Sequence, residues 1–142
     1  MKKAHLLLVE DNEGDILLIK EALESRRYVN ELTILKNGSE ALDFLMKKGM
    51  YSTAERPSLI LLDINLPRLS GHELLAKIKS NKELKRIPVV ILTTSSSDRD
   101  IQESYQNQAN CYVQKPVDAN EFEKVILEIE KFWFSVASLP LT

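Results

Sequence analysis

Four short apolar runs each end in side chains that titrate, ligate metals or donate protons. Glu10 and Asp11 follow His5-Leu6-Leu7-Leu8-Val9, and Asp63, with Asn65 two residues on, follows Leu59-Ile60-Leu61-Leu62. Thr93 and Thr94 follow Pro88-Val89-Val90-Ile91-Leu92, and Lys115-Pro116 comes just after Cys111-Tyr112-Val113. Three carboxylates brought within several ångströms repel, and each resists ionisation unless a cation sits between them. Oxygen ligands with few carboxylates suit Mg2+, whereas zinc asks for His or Cys. Neither His5 nor His72 joins the set. An ammonium and a hydroxyl facing such a cluster complete a pocket for a dianionic phosphoryl group. Asp63 ends the run expected at the middle of the sheet, so it is the best-placed nucleophile and would become an acyl phosphate.

Taken singly, each residue has a plainer role. An Asp after an apolar strand usually caps a helix or starts a turn. Glu10-Asp11 would then cap the first helix, Thr93 would be an ordinary strand residue, and Lys115 a solvated surface lysine. The chemical reading rests on convergence, and convergence depends on the elements. The apolar runs are too short for helices and fit strands buried on both faces. Between them lie helical patterns: Ile16, Ile19, Ala22 and Leu23 over Gly14–Ser25, and Leu42, Leu45 and Met46, with Ala41 and Phe44 near, after an Asn37-Gly38 turn and a Ser39 cap. Leu74, Leu75 and Ile78 form the stripe of Gly71–Lys79, and Ile101 and Tyr105 the thinner stripe of Asp98–Asn107. Leu32–Leu35 reads as a further strand, the second in chain order. The last helix opens with Asp118-x-x-Glu121, a Val117–Phe122 staple, and the stripe Phe122, Val125, Ile126, Ile129, Phe132, Trp133, Val136.

Five strands alternating with five helices predict an α/β fold: a doubly wound five-stranded parallel sheet in flavodoxin-like order 2-1-3-4-5, with helices on both faces. Such sheets bind ligands outside the carboxyl ends of their strands, where the polar residues above fall. The 142 residues, 28% charged with net charge −2, predict one domain spanning 1–142 with no output domain. Its core would cover about 4–130, with a helix extension over about 131–142. The charge balance gives no reason to expect nucleic acid or membrane as a partner. No run approaches the ~20 apolar residues of a membrane span, the start Met1-Lys2-Lys3-Ala4 is unlike a signal peptide, and the single Cys111 fits a reducing cytoplasm.

These residues resemble the receiver domain of bacterial two-component response regulators. The likeness lies in Leu8-Val9-Glu10-Asp11-Asn12, Leu61-Leu62-Asp63-Ile64-Asn65-Leu66-Pro67, Ser70-Gly71, Pro88 to Ser95, and Tyr112-Val113-Gln114-Lys115-Pro116. The resemblance implies that Asp63 takes a phosphoryl group from a sensor histidine kinase, so the chain is a signalling phosphoacceptor rather than an enzyme. It implies Mg2+ held by Asp11 and Asp63, with Glu10 acting largely through water and Asn65 through its backbone carbonyl. Lys115 would hold a phosphoryl oxygen, the peptide to Pro116 would be cis, and Thr93 and Tyr112 would be the switch pair. Asn65 and Ser95 occupy positions where the family tunes loss of the phosphoryl group. The output surface would be the fourth helix, fifth strand and fifth helix, with a phosphotransfer protein as a further partner to consider.

Departures sharpen the expectation. The acidic pair is Glu-Asp rather than Asp-Asp, Thr94 is larger than the family's usual small residue, and Lys47–Pro57 exceeds a minimal connection. The tail Phe132-Trp133-Phe134-Ser135-Val136 is apolar nearly all round. The long Lys47–Pro57 connection and this tail, with the expected absence of an output domain, resemble small response regulators that partner bacterial phytochromes, notably in cyanobacteria. Clustered aromatics mark interfaces, so Tyr112, Phe132, Trp133 and Phe134 are expected in a homodimer contact. The rival readings are an aspartate-nucleophile Mg2+-dependent phosphatase, which would want an acid where Asn65 stands, and a receiver-like module that is never phosphorylated. A flavodoxin is disfavoured because Glu10-Asp11-Asn12-Glu13 would repel a flavin phosphate.

Overall fold

The computed structural model describes residues 4–25 and 28–140. The expected readings of Met1–Lys3, and of the extension as far as Leu141 and Thr142, therefore lie outside the described residues. Five strands, β1 (His5–Val9), β2 (Glu31–Leu35), β3 (Leu59–Leu62), β4 (Val89–Thr93) and β5 (Cys111–Gln114), alternate with α1 (Glu13–Ala22), α2 (Gly38–Leu45), α3 (Gly71–Ser80), α4 (Asp98–Gln106) and α5 (Ala119–Lys131). All strand pairs are parallel and the order is β2-β1-β3-β4-β5, as predicted.

Alternation along the strands divides the core in two. Leu7, Val9, Ile60, Leu62, Val89 and Ile91 pack with Phe44 and Leu45 of α2 and with Leu74, Leu75 and Ile78 of α3. Leu6, Leu8, Leu59, Leu61, Val90 and Leu92 pack with Ile16 and Ile19 of α1 and with Phe122 and Ile126 of α5. Two sheet faces, each covered by aliphatic side chains, are why the strands read as unbroken apolar runs. The Lys47–Pro57 connection is tied down by Tyr51, whose ring meets Phe44 edge-on at 5.4 Å.

Several local expectations are corrected. Asn37, not Ser39, caps α2: its Oδ1 accepts the Glu40 N–H at 2.7 Å, so Asn37-Gly38 starts the helix instead of closing a turn. Gly38 lies against the carbonyl of Leu69, where a Cβ would clash. The Val117–Phe122 staple does not form, because Val117 points to solvent (105% exposed) while Asp118 alone caps α5 through the Glu121 N–H. In α4 the buried residue is Ser104; Ile101 is half-buried and Tyr105 is 50% exposed. Helical spacing alone cannot show that a hydroxyl takes the inner face, here by donating to the carbonyl of Asp100 (2.8 Å). The Lys115–Pro116 peptide is trans rather than cis, the isomer favoured intrinsically by about 0.5–1 kcal/mol.

The chain end also departs from one regular stripe. After α5 comes a π-helical turn, Phe132–Val136, closed by the Ala137 N–H on the carbonyl of Phe132. The wider turn changes which residues face inward. Trp133 and Phe134 pack against the core, whereas Phe132 and Val136 are 50% and 64% exposed. One turn earlier, buried Glu130 accepts the backbone N–H groups of Tyr28 and Val29, joining α5 to the segment before β2.

Candidate phosphoryl and metal site

Backbone bonds carry the parallel ladder one residue past the strands and deliver the polar groups. The Glu10 N–H donates to Leu35 O, Asp63 N–H to Val9 O and Lys115 N–H to Thr93 O, at 3.0, 3.1 and 2.7 Å. Glu10, Asp63 and Lys115 therefore leave the carboxyl edge of β1, β3 and β5, and the Lys115 side chain reaches past β4 to meet the other two. Asn12 caps α1 through the Asp15 N–H (2.9 Å), so the plainer reading of Glu10-Asp11 as the helix cap fails. Glu10 Oε2 instead accepts the Asn12 N–H at 3.1 Å.

Carboxylate oxygens of Glu10, Asp11 and Asp63 lie within 4.8 Å of one another, Glu10 and Asp63 buried and Asp11 exposed. The set is all oxygen, contains neither His nor Cys, and opens to solvent on the Asp11 side. That donor chemistry fits a hard divalent cation and not zinc. The buried Lys115 ammonium reaches Glu10 Oε1 at 2.5 Å, Asp15 Oδ2 at 2.8 Å and Asp63 Oδ2 at 3.0 Å. Asp63 Oδ1 accepts the Asn65 N–H at 3.3 Å, while the Asn65 side chain faces solvent.

The crowding shows in the titration behaviour. Burial lifts the Glu10 carboxyl from 4.5 to about 7; Lys115 opposes the rise and the charge of Asp63 adds to it. Burial works against the Lys115 ammonium, yet its hydrogen bonds to Asp15 and Glu10, with the charges of Asp63 and Glu10, hold its pKa above the ordinary lysine range. The ammonium is thus bonded to three carboxylates at once.

Thr93 is fully buried beside this cluster, and its Oγ1 takes the Ser95 N–H in a long 3.5 Å contact. Tyr112 is half-buried and its hydroxyl donates to Ser95 O at 2.9 Å. Both switch candidates therefore meet at one loop residue. Ser95 Oγ in turn donates to Asp100 Oδ2 (2.6 Å), and Asp100 Oδ1 pairs with His72 Nε2 (3.1 Å). These bonds hold the Asp100 carboxyl below its usual value, Ser95 first and His72 second. Glu103 approaches His72 at 3.8 Å. Phe132, Trp133 and Phe134 lie apart from the site, with Phe132 and Trp133 stacked edge-on at 5.2 Å.

Two sets of residues escaped the sequence reading. Asp15, unnamed in the sequence reading, is by type an ordinary acid in the first turn of α1; its place one turn beyond Asp11 is the available signal. The His72–Asp100–Ser95 chain needed the crossing of α3 and α4, which spacing along one helix does not reveal.

Comparisons with known proteins identify the family and the fold. The family model described as response regulator receiver domain matches residues 6–127. Response regulator Rcp1 of Synechocystis sp. is 45% identical over 135 residues, 95% of this chain and 92% of that one. The crystal structure of the phosphorylated cyanobacterial phytochrome response regulator RcpA superposes with a TM-score of 0.95 at 46% identity, covering 97% of this chain and 99% of the other. The Mn(2+)-bound form of Rcp1 gives a TM-score of 0.93 at 44% identity, with 96% and 99% covered.

Proposed function

The chain belongs to the response regulator receiver domain family, the phosphoacceptors of two-component signalling, and from that premise we propose that Asp63 is its acceptor. The observation that carries this reading is a buried carboxylate at the carboxyl end of a central strand, 3.0 Å from a buried ammonium and grouped with two further carboxylates. One Asp63 oxygen attacks phosphorus of the phosphohistidine on a histidine kinase. The P–N bond breaks as the O–P bond forms, and the leaving imidazole takes up a proton. Lys115 donates to a phosphoryl oxygen and offsets its charge. Glu10, Asp11 and Asp63, with the Asn65 carbonyl, are the residues that would hold a divalent cation, Mg2+ being the natural choice. Its charge, when bound, offsets that of the phosphoryl oxygens.

The new dianion supplies an acceptor for Thr93 Oγ1, which among the described residues takes the Ser95 N–H in a long contact. Moving Thr93 frees the loop at Ser95, to which Tyr112 is bonded, and so biases the position of α4. The output surface in this reading is α4, β5 and α5. Partnership with a phytochrome kinase is supported by the likeness to RcpA, and a second copy of the chain is the proposed occupant of the exposed Phe132–Val136 flank. Sedimentation that shows a monomer at tens of micromolar, with and without phosphoryl donor, would remove the dimer. A cytoplasmic setting fits a chain in which no helix of the described residues is long and apolar enough to cross a membrane.

Incubation with Mg2+ and a small acyl phosphate, followed by intact-protein mass spectrometry, tests the acceptor. One acid-stable, base-labile phosphoryl adduct is expected, lost in Asp63→Asn and in EDTA. An adduct that persists in Asp63→Asn would overturn the assignment.

A further inference from the structure

A lysine ammonium carries three N–H donors and no more. In Lys115 all three are taken, one each by Glu10, Asp15 and Asp63, at 2.5, 2.8 and 3.0 Å. Glu10 and Asp63 belong to the carboxylate group that fits a cation; Asp15 does not. With a cation held there, Glu10 and Asp63 would share their oxygens with it, and Asp15 would be the acceptor left to Lys115 alone. Asp15 is also held from the backbone side: its N–H sits on Asn12 Oδ1 (2.9 Å), and the Asn12 N–H sits on Glu10 Oε2 (3.1 Å). It enters the site from α1, across from the β4–α4 loop.

We propose that Asp15 is a positioning residue that holds Lys115 in the unphosphorylated site and competes with the phosphoryl oxygens for that ammonium. This rests on the reading of Asp63 as acceptor and Lys115 as phosphoryl ligand. While Asp15 keeps one N–H, two remain for the phosphoryl group, and its negative charge lies beside the place a dianion must enter. The carboxylate thus opposes donor binding and weakens the hold of Lys115 on the aspartyl phosphate. It sets how easily the site loads and how long it stays loaded.

Asp15→Asn keeps the size and one acceptor oxygen but removes the charge. Loading by a small acyl phosphate in saturating Mg2+ is expected to half-saturate at a donor concentration lowered by up to about fivefold, the scale of one partly solvated charge pair. The maximal loading rate should change less than the half-saturation, and the adduct should hydrolyse more slowly. Asp15→Glu should restore the wild-type half-saturation. Glu13→Gln, which removes an exposed acid of the same turn paired with Lys36, should leave it unchanged. Asp15→Asn with cooperative unfolding but wild-type half-saturation and lifetime would overturn the inference while leaving Asp63 as acceptor. Loss of Mg2+ affinity by more than about tenfold in Asp15→Asn would make Asp15 a cation ligand and also overturn it. No adduct in the wild-type chain would overturn the acceptor reading and this inference together.

Discussion

Helices α3 and α4 follow the neighbouring strands β3 and β4, which lead to Asp63 and Thr93, yet they are fastened to the sheet by different forces. Leu74, Leu75 and Ile78 of α3 are fully buried, Ser70 and Glu73 close a capping box, and Gly71 lies so near the carbonyl of Asp63 that a Cβ there would stand 2.2 Å from it. The helix after Asp63, the proposed acceptor, is locked by packing that loses free energy with any displacement. In α4 only Ser104 is buried, and what ties the helix down is polar: Ser95 and His72 on Asp100, and the Tyr105 hydroxyl accepting the Tyr112 N–H at 3.1 Å. Hydrogen bonds can be exchanged at small net cost, about 0.5–1.5 kcal/mol each, whereas buried leucines cannot be moved without leaving a void. The difference gives the fold an apolar-packed wall beside Asp63 and a polar-fastened one beside Thr93, the side proposed to move.

The contrast can be broken most forcefully at α3. Leu75→Ala should cost about 2–5 kcal/mol in urea unfolding; a loss under about 1 kcal/mol would mean that α3 is not packed as described. The charged edge offers the next effect, through pH. A carboxyl whose folded pKa lies above its unfolded one binds its proton more tightly when folded. Glu10 therefore favours folding below its ordinary 4.5, and this contribution disappears as pH rises through about 7. In EDTA, unfolding free energies between pH 4.5 and 7 should fall with rising pH by an amount on the order of 3 kcal/mol at most, and Glu10→Gln should flatten that slope. A slope unchanged in Glu10→Gln would remove Glu10 as its source.

On the movable side the effects should be smaller and of a different kind. His72→Ala should cost about 1 kcal/mol or less in stability, yet raise the amide hydrogen-exchange rates of α4 more than those of α3. Equal protection of the two helices in the wild-type chain would erase the distinction between them. The smallest change is expected from Tyr105→Phe, under about 1 kcal/mol, because it removes one hydrogen bond at a half-exposed ring.

The same contrast explains what could be read in the sequence. Runs such as Leu59–Leu62 and the stripe Leu74, Leu75, Ile78 announce themselves because burial selects residue type at fixed spacing, and the strand ends then locate Glu10, Asp63, Thr93 and Lys115. Polar fastening leaves no such trace. Ser104 took the inner face where Ile101 and Tyr105 were expected, and His72 met Asp100 across 28 residues. Asp15 was hidden for the same reason, since an acid in a first helical turn is favourable there whether or not a lysine lies beside it. Asn37 took the cap of α2 from Ser39 because either residue type can cap, and the choice was made by where the backbone leaves β2.

Trp133 is the chain's one tryptophan, and it lines a cavity with Ala4, Tyr28, Asn30 and Ser58, all of which precede strands. It thus reports from the amino edge of the sheet, opposite the carboxylates. Its emission should ignore cation binding as such, since quenching by a bound ion falls away across the full height of the sheet. A spectral change on phosphorylation would then record a rearrangement that had crossed the whole domain or reached its tail. The molecule carries its own built-in optical probe, sited where only long-range consequences of the chemistry are visible.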